Sequence, residues 1–223
     1  MLLILRNSNL EKMVFLIGVT GGSGSGKTTF AKKLIQSNQD INILHMDSYY
    51  LPEGEQIIKS PAGNPNFDHP DAFDWELLRN HLTAISNGQP VEVPTYNFIT
   101  NSRNRETMLI KPRKVLIVEG IYSLYDSVIR ELLAVKCFLD VPCDIRFIRR
   151  LERDTKERGR NLNSIISQYY DSVRPMYLKN IEPQKEFADI VIGKETAIAS
   201  DILSARIKEV INNKDIPIEE YRH

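Results

Sequence analysis

Cysteine is scarce in this chain. The two present, Cys137 and Cys143, lie in or beside an apolar strand-like run. A disulfide scaffold or thiolate metal site needs more ligands at tighter spacing, so both are expected as buried, reduced thiols of a cytoplasmic protein. Charge of one sign is also lacking: 29 basic side chains balance 29 acidic ones, which argues against a dedicated nucleic-acid binder and its basic excess. No apolar run approaches the length of a membrane span. The opening Met1-Leu2-Leu3-Ile4-Leu5 lacks the basic flank and the length of a secretion signal. Residues 1–12 are expected as a weakly ordered leader, with Met13 a second candidate start. Repeats and low-complexity tracts are missing too. What is present is an ordinary globular composition, in 223 residues that suit one domain (13–223) with a small insertion or lid.

Several short, continuously apolar runs read as strands: Val14 to Val19, Ile41 to His45, Val115 to Val118, Val135 to Val141 and Ile190 to Ile192. Helical patterns alternate with them, at Lys27 to Gln36, from the capping Asp74 to about Ser86, at Asp144 to Glu157, at Asn163 to Lys179 and at 198–212. Pro175 predicts a kink or a boundary in the fourth of these. This alternation predicts an α/β fold, a parallel sheet covered by helices on both faces. Val91 to Val93, Tyr96 to Ile99 and Thr107 to Ile110 predict a small inserted hairpin, about 91–111, around a polar tip at Thr100 to Arg105. Residues 48–70, rich in Pro, Gly, Asn and Asp, predict a long loop of the functional kind.

One segment is specific. Gly21-Gly22-Ser23-Gly24-Ser25-Gly26-Lys27-Thr28, followed by Thr29, matches G-x-x-x-x-G-K-[ST] with a strand before it and a helix after it. Glycines let successive N–H groups turn toward phosphate oxygens, and the helix start adds its positive dipole end. Lys27 is expected to reach the β/γ-phosphates and Thr28 to ligate Mg²⁺. The pattern predicts a phosphotransferase that binds a nucleoside triphosphate.

Two further strand ends carry carboxylates. Asp47 follows the second strand and suits a general base on an acceptor hydroxyl, against the plainer reading of an Asx turn. Glu119 ends the run from Val115 and suits a metal carboxylate, against a solvated strand end. In parallel sheets ligands bind beyond such carboxyl ends. Arg146, Arg149, Arg150 and Arg153 share one face of the helix from Asp144. Arg158 and Arg160 flank Gly159, so residues 144–181 are expected to form a lid whose arginines close over phosphate. The alternative is a solvated charged face paired in part with Asp154 and Glu157.

Together these segments resemble the uridine kinase (uridine–cytidine kinase) family. The likeness runs from the glycine loop through Met46-Asp47-Ser48-Tyr49-Tyr50, Asn66-Phe67-Asp68-His69-Pro70-Asp71-Ala72-Phe73-Asp74, Val93-Pro94-Thr95-Tyr96-Asn97-Phe98 and Val118-Glu119-Gly120-Ile121. It continues through Arg149-Arg150, Arg153-Asp154, Glu157-Arg158-Gly159-Arg160 and Ser167-Gln168-Tyr169 to Ala188-Asp189-Ile190-Val191-Ile192. The resemblance implies transfer of the γ-phosphate of ATP or GTP, with Mg²⁺, to the 5′-hydroxyl of a pyrimidine ribonucleoside, in a homotetramer. It implies Asp47 as the base and a group at the metal, with Thr28 and Glu119 there also. It further implies Asp68 and Arg150 on the ribose hydroxyls, Arg153, Arg158 and Arg160 on phosphate, and Gln168 near the nucleoside. Tyr50, Phe67, Tyr96 and Phe98 become walls for the base, with at least one of them serving core packing instead.

The departures lie at the base end. The family reads Tyr-Asp-Phe and then a His before Ser-Arg, where this chain has Asn97 and Asn101. The family's Pro-Arg-Gly after the last strand is Gly193-Lys194-Glu195. Asn97 is expected to remove a charge near the pocket, and Asn101 to bond a pyrimidine edge or to change the base preferred. A related kinase acting on pantothenate, a sugar phosphate or another nucleoside is the near alternative. A GTP switch would need Asn-Lys-x-Asp, which Asn213-Lys214-Asp215 does not supply.

Overall fold

The computed structural model describes residues 14–35, 40–52 and 58–212. The expected leader and Asn213-Lys214-Asp215 fall outside them. Five parallel strands, β1 (Phe15–Gly21), β2 (Ile41–His45), β5 (Val115–Glu119), β6 (Val135–Leu139) and β7 (Ile190–Ile192), form one sheet in the order β2-β5-β1-β6-β7. The central strand β1 is buried at every residue, because both its edges are paired and both its faces covered. Successive side chains point to opposite faces. Leu16 therefore packs with Leu116, Phe138 and Leu78, whereas Phe15 and Ile17 pack with Phe30, Leu34 and Leu203. That two-sided burial makes the strands continuous apolar runs rather than alternating ones.

On one face lie α1 (Lys27–Ile35) and α7 (Ala197–Asn212); α2 (Trp75–Ser86) lies on the other. Helix α2 starts where expected, with the Asp74 carboxylate accepting from Leu77 N–H at 3.1 Å. It ends before Gly88, whose φ of 76° is left-handed. Helix α3 (Ser127–Leu132), capped by Asp126, escaped the sequence reading because six residues are too few to show a period.

The hairpin pairs β3 (Val91–Asn97) with β4 (Ser102–Ile110), so the second strand is longer and the tip tighter than expected. The tip is set by Asn97, whose Oδ1 accepts from Ile99 N–H at 2.9 Å and Thr100 N–H at 3.3 Å. Asn101 follows at a φ of +54°, a conformation asparagine tolerates well.

After β6, α4 (Cys143–Lys156) leads to Gly159, at a φ of 63°, and then to α5 (Leu162–Gln168). Helix continues through 169–173, α6 (Arg174–Met176) and 177–181, so of the kink or boundary expected at Pro175 there is no boundary. Wide i→i+5 turns on either side absorb the missing N–H of the proline. Cys137 is buried as expected, but Cys143 is exposed, because it opens α4 beyond the end of β6. Among the described residues no helix is long and apolar enough to cross a membrane.

Candidate active site

The carboxyl ends of β1, β2 and β5 lie side by side, and the glycine loop, Asp47 and Glu119 leave the sheet there. Arg146 explains much of the loop's glycine content. It was expected on the lid face of α4 but is buried instead, its Nε donating to Val141 O at 2.9 Å and its guanidinium 3.7 Å from the centre of the Tyr177 ring. A Cβ on Gly22 would meet Arg146 Nη1 at 2.2 Å. A Cβ on Gly24 would meet the Arg146 carbonyl oxygen at 2.2 Å and sit at a φ of +82°. The first clash is with the end of a flexible side chain; the second is with backbone and adds strain. Gly24→Ala is therefore expected to weaken nucleotide binding at least about tenfold, and Gly22→Ala less. Titration of both variants with a fluorescent nucleotide checks that order.

Lys27 is buried, and its Nζ donates to Gly22 O at 3.2 Å. Burial holds its amine below the usual lysine range, although Glu119 and Asp47 oppose the shift. Glu119 Oε1 accepts from Thr28 Oγ1 at 2.9 Å and lies 2.6 Å from His45 Nδ1. Burial acts to raise the Glu119 carboxyl, but the His45 hydrogen bond and the Lys27 charge outweigh it, and the group sits below its ordinary range. That same bond raises the His45 imidazole. Asp47 is displaced the other way, raised by burial and then by the negative charge of Glu119. His45 was missed by sequence reasoning. Its place depends on the pairing of His45 with Glu119 across β2 and β5, which has no local signature.

Asp68 is buried on the same cavity wall. Ser172 Oγ donates to its Oδ2 at 2.8 Å, a contact sequence reasoning also missed. Arg150 is anchored by Ser23 Oγ at 2.8 Å and Gln168 Oε1 at 2.9 Å, and Arg160 reaches that same Gln168 oxygen at 2.6 Å. Asp154, fully buried, lies within 3.5 Å of Arg150, Arg153, Arg158 and Arg160. Burial acts to raise its carboxyl, yet Arg150 and Arg153 hold it below the usual range. The alternative of a solvated arginine face is thus set aside in part: Arg150, Arg153, Arg158 and Arg160 cluster on one buried carboxylate, Asp154, the partner that alternative named.

A cavity of about 130 Å³ is lined by Ser23, Lys27, Thr28, Asp47, Tyr50, Asp68, Tyr96, Glu119, Arg150 and Arg153. It shares Phe67, Phe98, Asn101, Arg158, Arg160 and Gln168 with a wider cleft of about 930 Å³. Of the four aromatics, Tyr50 also packs into the core, 4.4 Å from Phe73 between ring centres. Phe98 lies under Arg158 at 4.2 Å. From the glycine loop, Ser23, Lys27 and Thr28 line the cavity, whereas Gly21, Gly22, Gly24, Ser25 and Gly26 fall outside its lining, as do Thr29 and Asn97. Thr29 is exposed on α1. Asn97, expected to alter charge near the pocket, spends its carboxamide oxygen on the hairpin turn.

Residues 16–199 match the model of the Phosphoribulokinase / Uridine kinase family. The chain belongs to this family. Similar curated members include the uridine kinase of Deinococcus deserti, 45 % identical over 201 residues, 88 % of this chain and 97 % of that one. The uridine kinase of Lactobacillus helveticus is 45 % identical over 208 residues, 91 % and 98 % of the two chains. Among solved structures, phosphoribulokinase from Rhodobacter spheroides superposes with a TM-score of 0.61 at 16 % identity, over 82 % of this chain and 70 % of that one. D-glycerate 3-kinase from Cryptococcus neoformans gives 0.59 at 15 %, over 77 % and 80 %. Those two likenesses speak to the fold alone, an α/β sheet shared with other kinases.

Proposed function

We propose that the protein transfers the terminal phosphoryl group of ATP or GTP to the 5′-hydroxyl of uridine or cytidine, giving the nucleoside monophosphate. The observation that carries this reading is the placing of Lys27, Asp47 and Asp68 on one cavity, under relatives named uridine kinase. Asp47 takes the hydroxyl proton as the new O–P bond forms and the bond to the leaving diphosphate breaks. Its raised carboxyl makes it a better base than a free aspartate. Lys27 and the glycine loop hold the phosphates, and Arg153, Arg158 and Arg160 close over them and exclude water. Asp68 accepts from the ribose hydroxyls and Arg150 donates to them, while Tyr50, Phe67, Tyr96, Phe98, Asn101 and Gln168 border the base.

The residues fit a magnesium ion. Thr28 and Glu119 place two hard oxygen donors 2.9 Å apart with Asp47 nearby. The described residues hold no group of three His, Cys, Asp or Glu side chains that would cage a metal by itself. A sparse oxygen set suits a cation that keeps waters and phosphate oxygens as its other ligands. Bound Mg²⁺ would supply charge neutralisation on the transferring phosphoryl group. A cytoplasmic homotetramer completes the reading, supported by the family resemblance.

A panel of uridine, cytidine, purine nucleosides, deoxynucleosides, pantothenate and sugar phosphates, run with both ATP and GTP, tests the assignment. Good turnover of another acceptor with none of uridine or cytidine would remove it. Asn101→His, tolerable at that left-handed position, is expected to shift the uridine-to-cytidine ratio of kcat/KM by about tenfold. An unmoved ratio would show that position 101 does not touch the base.

A further inference from the structure

Asp68 is fixed at three points. Its N–H donates to Asn66 Oδ1 at 3.1 Å, its carbonyl accepts from the Tyr122 hydroxyl at 2.5 Å, and its Oδ2 accepts from Ser172 Oγ at 2.8 Å. The first two contacts hold the backbone; among the described residues, the third is the hydrogen bond that holds the carboxylate. Ser172 lies in the wide helical turn 169–173, only 2 % exposed. Its neighbour Asp171 grips the same loop, accepting from Ser60 Oγ and from Ala62 N–H at 3.1 Å.

We propose that Ser172 is a positioning residue that presets the Asp68 carboxylate for a vicinal diol and thereby determines the preference for ribonucleosides over deoxyribonucleosides. The inference rests on the ribonucleoside reading above. The terminal torsion of an aspartate is broad, so a carboxylate held only through its backbone samples many planes. Accepting from two hydroxyls at fixed spacing needs both oxygens in one plane, whereas accepting from one hydroxyl does not. Ser172 occupies one lone pair of Oδ2 and leaves the other, with both of Oδ1, free to accept. Its hydroxyl also lies 3.3 Å from Gln168 O, so a single proton is shared and the carboxylate receives the shorter bond. Loss of the serine hydroxyl therefore penalises the diol more than a lone hydroxyl.

Steady-state kinetics and calorimetric binding of uridine, 2′-deoxyuridine and 3′-deoxyuridine to wild type, Ser172→Ala, Ser172→Cys and Ser172→Thr test this. In Ser172→Ala the KM and Kd for uridine are expected to rise about tenfold, the scale of one hydrogen bond to a charged group, with kcat moving less. Constants for the deoxynucleosides should change less than about threefold, and Ser172→Thr should restore the wild-type ratio. Ser172→Cys keeps the shape but has a weak donor, so it should fall between, and it carries the test if the alanine variant does not fold. An equal loss for all three nucleosides, an unchanged ribo-to-deoxyribo ratio, or no rescue by threonine overturns the proposal. Absence of uridine turnover in wild type overturns the nucleoside reading itself and this inference with it.

Discussion

Asp47→Asn is expected to lower kcat by about 10³-fold, within the range that removal of a general base produces, while the affinity for nucleotide stays within about threefold. The expectation follows from position and environment together. Asp47 leaves β2 beside Lys27 and Glu119, and burial with the Glu119 charge raises its carboxyl. An amide there keeps the shape and cannot take a proton. Glycine loop and Lys27 are untouched, so binding of the phosphates should persist. Rapid-mix single-turnover assays paired with nucleotide titration separate the two effects; full turnover in the variant would remove Asp47 from the base role.

Asp154→Asn should be strongly destabilising. Four guanidiniums converge on one fully buried carboxylate, and Arg150 is itself buried. Breaking a buried ion pair from one side leaves charge uncompensated, at about 3–5 kcal/mol. The partly exposed Arg153, Arg158 and Arg160 regain solvent, which places the expectation near the lower bound, about 3 kcal/mol. The folded-state carboxyl is depressed, so its contribution is present above the unfolded pKa of Asp, about 3.9, and is lost as pH falls through the lower folded value. Urea melts should show a constant gap between variant and wild type from neutral pH down to about 5, closing only at stronger acid. A gap that is absent at neutral pH would mean that the arginines do not depend on Asp154.

How far the molecule was legible depended on range along the chain. Ile41 to His45 and Ile190 to Ile192 fall on the strands observed, because two-sided burial writes itself locally as an apolar run. The glycine loop and the Asp74 cap were legible for a similar reason: their chemistry needs specific residues at short spacing. Arg146 was misplaced because helical phase groups it with Arg149 and Arg150, and only packing turns it under the loop. Ser172 and His45 were invisible because their partners, Asp68 and Glu119, are distant in sequence. Asn97 was misjudged by its chemistry alone; the turn it caps claims its oxygen. The arginine run from 146 to 160 reads as a lid or as a solvated face paired in part with Asp154, and only packing shows that this carboxylate is fully buried.

The strand order also sets a timetable for synthesis. Phe15 pairs with Val115, and Gly21 pairs with Leu139, so β1 gains neither neighbour until about a hundred further residues have left the ribosome. Arg146, which packs under Gly22 and Gly24, emerges later still. Closing such distant contacts is slow compared with local helix formation. The nascent chain therefore carries its glycine loop as an unsupported segment until Arg146 has emerged, and nucleotide can act as a folding ligand only after that point.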